Sequence, residues 1–254
     1  MVTVDTKGKI TSRKPHTATQ IIEQVNDIPL EMVYIPAGEF MMGSNKYDRE
    51  KPIHKVTIKQ PFYMVKYPIT QAQWQAVMGN NPANFKGDKR PVEMVSWNDA
   101  IKFCEKLSKL TKQTYRLPSE DEWEYACRAD TTTPFYFEEN ITTDLANYNG
   151  NYTYGSGPKG KYHEQTTEVG IFPPNVFGLY DMHGNVWEWC ADGWHDNYKN
   201  APIDGSVWGN GSENRVLHGG SWNYDPNLVR SALRPWYVPT KRHYYVGFRV
   251  VRVL

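Results

Sequence analysis

The sequence is short of cysteine, of one-signed charge and of long apolar runs. Its three cysteines, Cys104, Cys127 and Cys190, are odd in number, far apart and without a CxxC pair. That excludes a disulfide-stapled secreted scaffold and suits buried thiols in a reducing compartment. Net charge is +1 with no basic run, so neither nucleic acid nor an anionic membrane is favoured as a partner. No apolar stretch approaches the ~18 residues of a membrane span. Met1–Gln20 is polar and lacks the apolar centre of a secretory signal. A cytoplasmic location is expected, and no internal repeat is evident.

What the chain has in abundance is rings. Nine Trp and 17 Tyr stand beside 19 Gly and 17 Pro in 254 residues, a mix suited to irregular segments pinned by aromatic side chains. That length buries a sizeable core as one domain or two small ones. From Trp222 to Phe248 seven of 27 residues are aromatic, about twice the chain-wide 14%. Strand-like Arg215–Leu217 and Val246–Val253 flank this stretch, and Gly219–Gly220 permits a sharp turn. Rigid rings between fixed strands are what recognition surfaces are built from.

Met1 to about Ile28 reads as a polar arm. Glu31–Met42 and Val56–Val65 read as strands broken at Pro36–Gly38 and at Pro61. Three capping-box patterns then announce short helices: Thr70 with Gln73, Ser96 with Asp99, and Ser119 with Glu122. From Asp130 to Gly170 no periodicity of either kind appears. A stretch that long is functional or is ordered by something beyond a hydrophobic core, such as a metal ion. Val186–Cys190 is a further strand candidate.

Six segments together resemble the formylglycine-generating-enzyme / sulfatase-modifying-factor family. They are MVYIPAGEFMMGS (32–44), YPITQAQWQAVMG (67–79), PVEMVSWNDAIKFCEKL (91–107), YRLPSEDEWEYACRA (115–129), FGLYDMHGNVWEWCAD (177–192) and RVLHGGSW…VGFRVV (215–251). The resemblance covers most of the chain in family order. It implies an α+β fold of C-type-lectin-like type: a single domain at 29–254 with mixed antiparallel sheets, a few short helices and much irregular structure. Residues 1–28 would be the arm, and 222–246 a variable ligand-binding segment.

The family's enzymes oxidise a sulfatase cysteine with two cysteines of their own after the Gly-Gly-Ser turn. Here Tyr224 and Val229 stand where those cysteines fall. A phenol and an isopropyl group cannot replace a thiolate in copper capture or attack. Catalysis of that kind is not expected. Cys127 stands where some members have one half of a structural disulfide, with Ser231 in the place of its mate. The histidines show no HxxxH or HxE pairing, so a non-haem iron site is not expected either.

The resemblance also implies a structural calcium ion, with carboxylates from Asp181 and Glu188 and carbonyls from Gly184 and Val186. The bland alternative is that Asp181 caps a turn while Glu188 pairs with an arginine. A second family calcium set maps to Asn147 and Tyr148, but Lys161 falls where its aspartate belongs.

Family members retargeted by diversity-generating retroelements vary a C-terminal region, and 222–246 looks like one. Its frame would be Pro226, Arg230, Ser231, Ala232, Arg234, Pro239 and Arg242. The ligand-binding positions between them would be Tyr224, Asp225, Leu228, Leu233, Trp236, Tyr237, Val238, Thr240, His243, Tyr244 and Tyr245, with Val229 also variable. Trp236 departs mildly, since no Asn codon with its third base kept yields Trp. The expected function is non-catalytic binding of a protein or carbohydrate ligand. The alternatives are a regulatory module acting with a separate kinase or protease, and an oxidoreductase of altered chemistry near His195, Asp192, Asp196 or His243.

Overall fold

Each helix begins where two side chains reciprocate hydrogen bonds with the backbone. In this computed structural model, which describes residues 2–15, 17–209 and 211–254, the capping boxes at Thr70, Ser96 and Ser119 all close. The first half holds β1 (Val2–Val4), β2 (Ile10–Arg13), β3 (Gln20–Val25), β4 (Ile28–Ile35), β5 (Gly38–Met42), β6 (His54–Ile58) and β7 (Phe62–Val65). Helices α1 (Gln71–Met78) and α2 (Trp97–Thr111), strand β8 (Tyr115–Arg116) and helix α3 (Glu120–Arg128) follow. The second half carries β9 (Trp187–Gly193), β10 (Arg215–His218), a 3-10 turn at Pro226–Val229, β11 (Trp236–Tyr237), β12 (Val246–Gly247) and β13 (Val251–Val253).

Two sheets organise the molecule. One has five strands in the order β3-β4-β7-β13-β8, the other four in the order β11-β10-β9-β12. In the second, β12 runs parallel to β9 while the other pairs are antiparallel. The expected strand Val246–Val253 is therefore broken: β12 joins one sheet and β13 the other. Between them Phe248, Arg249 and Val250 are buried, so the C-terminal segment stitches the two sheets together. α2 lays Ala100, Phe103, Cys104 and Leu107 onto the main core, where Trp74, Trp187, Trp189 and Phe248 meet them.

Two sequence-based expectations change. Residues 20–25, expected within a polar arm, form edge strand β3, paired with β4 from Gln20↔Val33 to Val25↔Ile28. The hairpin β1–β2 sets Val2, Val4 and Ile10 against a separate apolar cluster of Phe135, Phe137, Ile141, Leu145, Tyr148 and Val229. Met1 and His16 of that arm lie outside the described residues. The aperiodic stretch 130–170 forms no helix or strand. It nevertheless carries this cluster, so apolar burial contributes to its order.

Candidate functional site

The segment from Trp222 to Val246 leaves the sheet after β10 and returns to it as β12. Gly219 and Gly220 make the exit turn at φ +90° and +77°, and a Cβ on Gly220 would collide with the Val229 side chain. Only glycine fits there. Arginines then fix the segment. Arg230 grips Glu50 with two bonds of 3.0 and 2.7 Å, and both side chains are buried. Arg234 pairs with Glu120 through Nε and Nη2 and gives Nη1 to the carbonyls of Arg49 and His195. Arg242, more exposed, forks onto Asp99 at 2.7 and 2.9 Å. Forked guanidinium–carboxylate pairs fix orientation as well as position.

Backbone bonds complete the frame. Met94 N–H donates to the His243 carbonyl, Trp187 N–H to that of Tyr245, and Asn149 N–H to that of Tyr224. Phe85 and Tyr162 pack around Trp222, whose Nε1 donates to the Tyr244 carbonyl. Sequence reasoning missed Glu50, Glu120, Asp99, Phe85 and Tyr162. They lie far along the chain from the residues they hold, and no local pattern marks them for this role; Asp99 shows only as half of a capping box.

The sequence-predicted ligand positions divide into three groups. Trp236, Val238 and Tyr244 are 45%, 37% and 41% exposed, and Thr240 is exposed. Tyr224, Tyr237, His243 and Tyr245 are half-buried and form a run of rings beneath. In that run Tyr237 hydrogen-bonds His243, His243 stacks on Tyr245 at 4.7 Å, and Tyr245 meets Tyr224 edge-on at 5.6 Å. Burial and then Lys241 lower the pKa of His243, which favours a neutral ring accepting the Tyr237 hydroxyl. Burial, then the Tyr224 hydroxyl, raise that of Tyr245. The third group points elsewhere. Leu233 is 1% exposed in the main core and Val229 is wholly buried in the second-half cluster. Leu228 is half-buried against the core, and Asp225 caps a turn by accepting from Asn227 N–H. Leu233 does not face solvent: it sits in a run of consecutive buried residues, Val229 to Arg234, and packs into the main core.

All three cysteines are free and buried, and burial pushes Cys104 and Cys127 up to about 12. The Cys127 Sγ lies 3.6 Å from the Ser231 Oγ, which places Ser231 where a disulfide mate would stand. Asp192 is buried and accepts from the Glu120 and Trp208 amides. His195 stacks on Trp208 at 3.5 Å and bonds the Gly193 carbonyl. These residues are occupied in structural bonds.

The residues implied for calcium can be tested against their bonds. Glu188 accepts Trp123 Nε1 at 2.6 Å and both Nε and Nη2 of Arg249 at 2.6 and 2.8 Å. Arg249 is fully buried, so a cation there would share its carboxylate with a guanidinium in a low-dielectric interior. Asp181 accepts from Gly170 N–H and the Asn185 side chain, and burial pushes its pKa up to about 6. This donor set does not fit calcium as it stands. At the second set the Asn147 Oδ1 is a buried acceptor without a partner, and one neutral oxygen is not a cation site.

The comparisons with known proteins agree with this geometry. The sulfatase-modifying factor enzyme 1-like domain matches residues 18–254. The structure of PvdO from Pseudomonas aeruginosa is 34% identical, with a TM-score of 0.82 over 96% of this chain and 100% of that one. Treponema denticola variable protein 1 is 28% identical, with a TM-score of 0.82 over 93% of this chain and 99% of that one. The formylglycine-generating enzyme of Mus musculus is 30% identical over 78% of this chain, which spans 52% of that protein. The fold is thus a single α+β domain of the formylglycine-generating-enzyme, C-type-lectin-like type. The chain belongs to the sulfatase-modifying factor enzyme 1-like family, and its structural relatives include a variable protein. Among the described residues no helix is long and apolar enough to cross a membrane.

Proposed function

We propose that this protein is a non-catalytic binder that presents residues 222–246 as a diversified recognition face. The observation that carries this reading is the split between frame and face. Arg230, Arg234 and Arg242 are tied to carboxylates, while Trp236, Val238 and Tyr244 stand a third or more exposed between them. Exposed Trp and Tyr rings on a rigid support fill a partner's pockets at low entropic cost. The partner is a protein or a carbohydrate, bound in the cytoplasm, where three free thiols persist. Likeness to the Treponema denticola variable protein supports the reading, and Tyr224 and Val229 in the cysteine places argue against the rival oxidative chemistry.

The test uses the chain and its Trp236→Ala and Tyr244→Ala variants as matched baits for cross-linked capture and for glycan arrays. A ligand retained by the parent is expected to be lost by tenfold or more in both variants, with melting midpoints little changed. A ligand kept by both, or turnover of a sulfatase-derived cysteine peptide, sinks the proposal. Sequencing downstream of the gene tests the origin: a near-copy of the 222–246 coding segment beside a reverse transcriptase is expected.

A further inference from the structure

On a different part of the surface from Trp236 and Tyr244, β5 runs out into a loop that meets residues 132–134 and the start of the frame. The space between them is a cavity of about 270 Å³ whose walls include Lys46, Arg128 and Arg230. Two of those cations are already balanced. Arg128 donates to Glu124 and to the carbonyls of Gly43 and Thr133, and Arg230 donates to Glu50 and the Asn227 carbonyl. Lys46 is the exception. Its ammonium donates to Asn227 Oδ1 at 2.7 Å and lies 4.8 Å from the centre of the Tyr154 ring. Among the described residues it has no carboxylate within ion-pair distance.

Lys46 thus brings a positive charge to the cavity wall without a direct ion pair, and the carboxylates of Glu50 and Asp225 act on it only from a longer range. Partial burial, then the nearby Arg230, lower the pKa of Lys46, against the opposing pull of Glu50 and Asp225. An aromatic face and a neutral carbonyl soften the repulsion from Arg230 but do not cancel it. Asn45, Thr132 and Tyr154 line the same cavity and add neutral hydrogen-bonding groups. A negatively charged group of a few heavy atoms suits this space, because it meets a fixed field and neutral donors.

We propose that this cavity is a binding site for one small oxyanion group, a carboxylate, sulfate or phosphate, with Lys46 as its charged contact. The group arrives either as a free anion or on an acidic side chain of a partner. Titration of the whole chain at constant ionic strength, by calorimetry and by thermal melt, tests it with sodium sulfate, sodium phosphate and a blocked glutamate dipeptide. Saturable one-to-one binding of at least one probe is expected. Preference for the inorganic ions assigns the site to a free anion, and preference for the dipeptide assigns it to a side chain. Lys46→Ala is expected to weaken binding tenfold or more, and Lys241→Ala, an exposed lysine on the aromatic face, to leave it unchanged. Lys46 is exposed, so its variant folds, and an unshifted melt without probe verifies that. Absence of saturable binding, or equal binding by Lys46→Ala, overturns the proposal. Neither result touches the Trp236 and Tyr244 reading, since neither ring lines this cavity.

Discussion

Replacing Arg234 by alanine asks the frame to hold without its most buried anchor. Its guanidinium is fully enclosed, lies 4.5 and 4.4 Å from the Trp194 and Tyr198 ring centres, and donates to Glu120 and two carbonyls. Removing one partner of a buried pair costs about 3–5 kcal/mol, because the other charge stays desolvated. For a chain of this size each kcal/mol moves the melting midpoint by roughly 2–4 °C. A fall of about 6–20 °C is expected. Tyr244→Ala, which loses only a half-exposed ring, is expected to cost about 1 kcal/mol. The pH dependence has a definite sign. Burial alone would raise the Glu120 carboxyl, but Arg234 and His218 hold it well below its usual range. That depressed pKa stabilises the parent above about pH 4.3, the unfolded value, and the benefit is lost as pH falls towards the folded value. In the variant burial dominates and the pKa rises. Its deficit should therefore shrink as pH is lowered from 7 towards 5, and Glu120→Gln added to Arg234→Ala should recover part of it. Thermal melts across pH 5–8 measure all of this. If Arg234→Ala melts within a degree or so of Tyr244→Ala, or if the deficit ignores pH, the separation of frame from face is wrong.

Excess chelator should leave the melting midpoint unchanged, since Glu188 already has Arg249; a fall of several degrees would restore the calcium expectation. Ser231→Cys should close a disulfide with Cys127 in oxidising buffer. A loop of about a hundred residues gives up to ~4 kcal/mol, read as a higher midpoint that reductant abolishes. Glu93 is buried with one carboxylate oxygen lacking a partner, and burial pushes its pKa up to about 7. Between about pH 4.3 and 7 the native state holds a proton that the unfolded chain has lost. Stability should therefore fall with rising pH there, by up to about 1.4 kcal/mol per pH unit, and Glu93→Gln should flatten that slope.

Local chemistry was legible in the sequence. A hydroxyl three residues before Gln, Asp or Glu fixed every helix start, since both halves of a capping box lie within one turn. The glycine pair before Trp222 marked the turn, and Arg230, Arg234 and Arg242 stood out as regular anchors. What they anchor to was not legible. Glu50 is 180 residues from Arg230 and Glu120 is 114 from Arg234, and a single sequence carries no signal linking such pairs. Leu233 looked like a variable position because burial in irregular structure has no period to betray it. Residues 130–170 looked either functional or ordered by something beyond a hydrophobic core for the same reason: Phe135, Ile141, Leu145 and Tyr148 converge on one cluster without being evenly spaced.

Both ends of the recognition segment are bonded to the same strand. Leu217 and His218 pair with Trp189 and Glu188 on one side of β9, and Val246 and Gly247 pair with Trp187 and Glu188 on the other. A length change within the irregular loop can be absorbed there, whereas one within β10 or β12 would slide a ladder and turn its side chains over. Variation of the kind proposed for residues 222–246 would thereby have to leave both ladders in register.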